Sequence, residues 1–340
     1  LDFVDRHAYW DHPQGGYGEL VKFNNSLLVN EIEPIHVLTQ PKRMNPLLKL
    51  ARLRVKNKPF VVGEWNVNWP NEYRAVGPLL MAAFTSYQDW DAIIQFNYEG
   101  HLAPDSIQGN FDVSSKPEIF LQYPAASRLF HEKQITPARE RIDYPIFSDY
   151  KWPYGEGLLR GIQRTLEAIP AVQAKDIPAG PKVSDTGEMT WDDEKGIARV
   201  ETEKTSAALG RLEKETILKG NHFSLETPFS IVILTSLDGK KIELSNHLLL
   251  TTVARTENTE TVYNPSRTLL RKKGVSPILM EPVTGTASLA VGGRGPAKVF
   301  ILDSQGNRTG EIASSVKKES LQFSLGQGFL YEIIFEGENG

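Results

Sequence analysis

Glu64 follows the apolar run Phe60-Val61-Val62 and a single glycine, and Trp65, Asn66 and Trp69 come directly after it. A carboxylate in that position can act as a nucleophile or a proton carrier. Aromatic faces give sugar rings an apolar platform, and Asn or His side chains hydrogen-bond to their hydroxyls. At His7-Ala8-Tyr9-Trp10, spacing of two puts the polar tips of His7 and Tyr9 on one side if the chain is still a strand there. Tyr98 follows a third apolar run, Ile93–Phe96. Each group also has an ordinary reading. Glu64 can be a solvated charge closing a strand, His7 with His12-Pro13 a strand end and turn, and Tyr98 a packing residue. The aromatic company of Glu64 favours the carbohydrate reading.

Other motifs offer less. Asn30-Glu31 falls in a loop and reads as a surface charge. Gly155-x-Gly157 and Gly292-Gly293-Arg294-Gly295 lack the strand-to-helix setting of a dinucleotide site and read as turns. His36, His101, His131, His222 and His247 are scattered without metal-ligand spacing, and Arg255-Thr256-Glu257-Asn258 reads as ion-pair and turn residues. No Walker lysine, HExxH or Gly-x-Ser-x-Gly motif occurs, so neither a cofactor nor a metal is expected. The absence of cysteine excludes disulfides, thiolate metal sites and cysteine nucleophiles, but says nothing against a secreted or periplasmic bacterial enzyme.

Short strands alternating with amphipathic helices should position these groups. Leu1–Val4, Phe60–Val62 and Ala92–Phe96 read as buried strands. A helix is expected from Asn45-Pro46 to about Val55, a second from Arg74 to Gln88, and a third from Ser115 towards Phe130 with a kink at Pro124. Residues 136–185 carry six prolines and read as a wrapping linker with a short helix near Leu158–Ala168. Beyond it, Ile197–Glu203, Phe229–Leu237, Leu248–Ala254, Lys298–Leu302, Leu321–Leu325 and Phe329–Phe335 alternate with turns such as Asp238-Gly239, the pattern of an antiparallel β-sandwich. The expected fold is therefore α/β plus all-β: about three βα units over residues 1–135, the linker, and a sandwich over 186–340. A formal net charge of −4 on 340 residues supplies no general basic field for nucleic acid, and no apolar stretch is long enough to span a membrane.

The first 130 residues resemble the C-terminal portion of a clan A glycoside hydrolase, the retaining (β/α)8 glycosidases that include family 5 cellulases and family 39 xylosidases. Asp2-Phe3-Val4-Asp5-Arg6-His7-Ala8-Tyr9 resembles the sixth barrel strand, Phe60–Asn66 the seventh with its nucleophile, and Ile93–Tyr98 the eighth. The sandwich, notably Leu248–Asn258, is similar to accessory domains of large bacterial polysaccharide-degrading enzymes. The resemblance implies that Glu64 attacks the anomeric carbon of a carbohydrate substrate, and that His7, Tyr9, Trp10, Trp65, Asn66 and Tyr98 bind the sugar. It also implies a general acid, a Glu after an Asn on the fourth strand, upstream of Leu1 together with the first part of the barrel. The 340-residue chain alone is then expected to be inactive or nearly so. The competing functions are a non-catalytic carbohydrate-binding or scaffolding protein and, more weakly, a metal-dependent sugar isomerase.

Overall fold

A computed structural model describes residues 2–15, 19–32, 44–99, 105–146, 155–167, 169 and 177–336. Leu1, His36, His101 and Ala168 lie outside these residues. The fold is rich in strands with few helices, and no barrel closes among the described residues.

Three strands, Val4–Tyr9, Phe60–Asn66 and Ala92–Gln95, form a parallel sheet with Phe60–Asn66 in the centre. The first begins later than the expected Leu1–Val4 and runs through Tyr9, so His7 and Tyr9 are strand residues. Helix Pro46–Ala51 starts where Asn45 accepts the Leu47 N–H at 3.0 Å, and proline occupies its first turn. Arg74–Val76 is a 3₁₀ turn leading into helix Gly77–Tyr87, every residue of which is buried. A Cβ on Gly77 would approach Val67 and Trp65 to 3.2 and 3.3 Å, so glycine lets this helix lie close to the sheet. The single kinked helix expected over 115–130 is two, Pro117–Phe120 and Tyr123–His131. The break falls at Leu121-Gln122, and Pro124 lies in the first turn of the second helix, where its missing N–H costs nothing.

Two large antiparallel sheets make up most of the second half. The larger has nine strands, with His247–Val253, Phe229–Ser236 and Thr205–Arg211 adjacent near its middle; the smaller has five, centred on Gly285–Ala290. All eight residues of Phe229–Ser236 are buried because both faces of this strand are covered. Phe229, Ile231 and Ile233 share a core with the βα segment, while Val232 and Leu234 share another with Phe223, Leu289 and Phe323 of the five-stranded sheet. The βα segment, the nine-stranded sheet and the five-stranded sheet are thus stacked layers, and double-sided burial explains the unbroken apolar runs.

Residues 136–185 are more than a linker. Arg141–Pro145 and Gly161–Thr165 form a parallel pair, the helix is Glu156–Leu159 rather than Leu158–Ala168, and Lys182–Val183 joins the nine-stranded sheet. Ile142, Tyr144, Leu158 and Ile162 belong to the core of the βα segment, and Pro145 ends a strand, so the described part of this region is packed.

A buried ion pair of the βα segment also reaches strand Thr256–Thr259. Arg74 and Glu118 are each about 1% exposed with Nε 2.6 Å from the carboxylate, and the same guanidinium donates to the Thr256 carbonyl and hydroxyl at 2.6 Å. Removing one partner leaves a desolvated charge uncompensated. Arg74→Ala is therefore expected to lower the unfolding free energy by about 3–5 kcal/mol, read as a shift of the urea midpoint. A loss within the range of a surface ion pair would mean that Arg74 does not anchor this contact.

Candidate functional site

Register brings the sequence-predicted groups together. Val4, Asp5 and Arg6 pair with Phe60, Val61 and Val62, after which a bulge skips Gly63 and places His7 opposite Glu64 and Tyr9 opposite Asn66. The extra residue resets the alternation, so that Glu64 emerges on the side of His7 and Tyr9. Gly63 is required there, since a Cβ would lie 2.6 Å from the Asp5 carboxylate, which instead accepts the Gly63 N–H at 2.9 Å.

The Tyr9 hydroxyl donates to Glu64 Oε2 in a short hydrogen bond. His7 Nδ1 stands 3.5 Å from the same oxygen, and its Nε2 is 3.2 Å from Asp5 Oδ2. Asp5 orients the imidazole, which then directs its other nitrogen at Glu64. The carboxylate and the imidazole remain 34% and 45% exposed, open to a ligand. The Tyr9 ring is enclosed by His12 at 4.7 Å, Phe111 at 5.2 Å and Phe96 at 6.2 Å, the last two edge-on. Burial first, then the hydrogen bond to Glu64 and the negative charge behind it, push the Tyr9 phenol far above its ordinary range, so it remains a donor at any physiological pH.

The other predicted residues are elsewhere. Trp10 and Trp65 were expected to line a sugar site but point to the opposite side of the sheet, because neighbouring strand residues alternate. Trp10 is fully buried and donates to the Ser26 carbonyl at 3.2 Å; Trp65 is 5% exposed and packs beneath helix Gly77–Tyr87. Asn66 is also buried. Its amide donates to the carbonyls of Phe96 and Phe111, the latter at 2.8 Å, so it clamps the loop after the third strand instead of meeting solvent. Tyr98 is exposed, but lies along a groove of about 540 Å³ beside Ala92–Gln95, with Trp65, Ile93, Tyr123 and Phe130, a groove that Glu64 does not line. Sequence reasoning missed Asp5, His12 and Phe111. Only Asp5 carried a local signal, two residues before His7.

Other candidates resolve as structural groups. Arg255 pairs with Glu72 at 3.0 Å and Glu281 at 3.4 Å, His222 with Glu215, and His247 with Glu332. Gly292 and Gly293 occupy a turn with positive φ. Among the described residues, no group of three or more His, Asp or Glu side chains is arranged to hold a metal ion, and no helix is long and apolar enough to cross a membrane. No protein-family model matches the chain, and no match was found among curated proteins or solved structures.

Because the Tyr9 pKa is raised in the folded state, its contribution to stability is complete below the ordinary tyrosine value of 10.0 and declines as the pH climbs towards the raised one. In an ultraviolet titration referenced to Tyr9→Phe, Tyr9 should ionise well above exposed tyrosines. Glu64→Gln should lower its pKa only in part, because burial is the larger cause. A full return to the ordinary value would mean that the carboxylate, not burial, dominates.

Proposed function

We propose that the chain carries the nucleophile side of a retaining glycoside hydrolase and that Val4–Tyr9, Phe60–Asn66 and Ala92–Gln95 are the last three strands of a (β/α)8 barrel. The observation that carries this reading is the convergence of Tyr9 and His7 on one oxygen of Glu64 at the C-terminal ends of parallel strands, the end at which such barrels hold their chemistry. Among the described residues no strand pairs with the outer edge of Ala92–Gln95; that edge, the apolar groove beside it and the exposed Ile94 and Phe96 support the barrel reading.

In this reading Tyr9 and His7 hold Oε2, and Oε1 attacks the anomeric carbon. The new bond forms as the glycosidic C–O bond breaks, giving a glycosyl ester on Glu64 and an alkoxide leaving group that takes a proton from a second carboxyl group. Water then attacks the same carbon, loses its proton to that carboxylate and releases Glu64. The two carboxyl groups of a retaining pair stand about 5–5.5 Å apart. Turnover of ordinary glycosides requires such a second carboxyl group beside Glu64. Fluoride needs no proton to depart, so formation of the ester on Glu64 does not depend on the acid.

Intact-protein mass spectrometry tests this with 2-deoxy-2-fluoroglycosyl fluorides of gluco, galacto, manno and xylo configuration. At least one should add a single fluoroglycosyl group, located to the peptide containing Glu64. Addition should vanish in Glu64→Gln and slow by roughly 10- to 1,000-fold in Tyr9→Phe, as for the loss of one oriented hydrogen-bond donor. Glycan binding that persists in Glu64→Gln with no adduct on the parent chain would instead identify a non-catalytic carbohydrate-binding protein.

A further inference from the structure

Residues 256–280 leave the sandwich as an arm and attach to all three loops that follow the parallel strands. At its base, Thr256 receives the Arg74 guanidinium from the loop after Phe60–Asn66. Leu269 and Leu270 pair with Lys22 and Val21 of the loop after Val4–Tyr9, and the Phe23 N–H donates to the Thr268 carbonyl at 3.0 Å. On the third loop, Asn258 is 2% exposed and satisfies both backbone groups of Ile107: its Oδ1 accepts the N–H at 2.6 Å, and its amide donates to the carbonyl at 3.3 Å and to Lys273 at 3.1 Å. The Ile278 N–H adds a bond to the Asp105 carbonyl at 2.9 Å. Val21, Phe23, Trp69, Ile107 and Leu270 close a small core beneath the arm.

Four residues beyond Ile107 is Phe111. Its carbonyl accepts from Asn66, two residues after Glu64, and its ring stands edge-on to Tyr9. We propose that Asn258 is a positioning residue of the Glu64 site: by fixing Ile107, it sets the loop that holds Phe111 against Tyr9. A sandwich residue thus determines how the nucleophile's hydrogen-bond donor is enclosed. What that pair does rests on the glycosyl-transfer reading; the positioning itself does not.

The test compares Asn258→Ala with Asn221→Ala in the full chain. Asn221 is a similarly buried asparagine of the five-stranded sheet, donating to the Leu218 carbonyl at 3.1 Å and accepting from the Ala290 N–H at 3.0 Å. Both variants lose stability, but only Asn258→Ala should change the site. Tyr9 should then ionise at a pH lower by at least about one unit as it gains solvent. Addition of a reactive 2-fluoroglycosyl fluoride should slow by roughly 10- to 100-fold. If Asn258→Ala does not fold, Asn258→Ser, which keeps an oxygen acceptor, and Phe111→Leu, which leaves the arm intact, should shift both readouts in the same direction. An unchanged Tyr9 titration in these variants, or an equal shift in Asn221→Ala, overturns the proposal. If the parent chain takes no label from any reagent, the glycosyl-transfer reading fails instead, and the Tyr9 titration alone decides the role of Asn258.

Discussion

The hydrogen bond from Tyr9 to Glu64 depends on a single bulge. Without the extra residue at Gly63, strict alternation would turn Glu64 to the side of Val62, into the helices, where an unpaired carboxylate is costly to bury. With it, Glu64, His7 and Tyr9 share one face, Trp10 and Trp65 occupy the other, and the Asp5 carboxylate fits into the space left by the missing Cβ. The rest of the molecule serves this arrangement by fixing the strands from behind and the loops from above.

The fixing is asymmetric. Behind the parallel sheet lie closely packed helices and then the nine-stranded sheet, whose residues alternate between two cores. Above it, a small apolar core is joined by polar contacts: Arg74 to Glu118 and Thr256, Arg255 to Glu72, and Asn258 to Ile107. Buried polar groups of this kind specify one arrangement more strictly than apolar contact does, since each must meet its own partner. The sandwich therefore reaches the site through directional bonds carried by its arm.

Much of this was legible in the residues. The three strands and the Gly77–Tyr87 helix follow from apolar spacing, and the Asn45-Pro46 helix start from capping chemistry. Glu64, His7 and Tyr9 could be singled out because their types and local spacing suffice to put them at strand ends. Trp10, Trp65 and Asn66 were misjudged because residue type says nothing about which face of a strand is covered, and the bulge that decides it leaves only a glycine in the sequence. Phe111 and Asn258 were illegible because their roles come from contacts 45 and 151 residues apart along the chain. The 136–185 segment reads as a linker from its prolines, whereas its strands Arg141–Pro145 and Gly161–Thr165 pair with each other and pack into the core. Its burial comes from distant layers.

The central claim is that Glu64 receives a glycosyl group through the oxygen that Tyr9 and His7 leave open. The most direct measurement is a crystal structure of the chain after reaction with a slow-turnover fluorosugar. The account predicts continuous density from the anomeric carbon to Glu64 Oε1, with the Tyr9 hydroxyl still on Oε2 and the ring of Phe111 beside it. A sugar bonded to another residue, or bound on the sandwich with Glu64 unmodified, would contradict it.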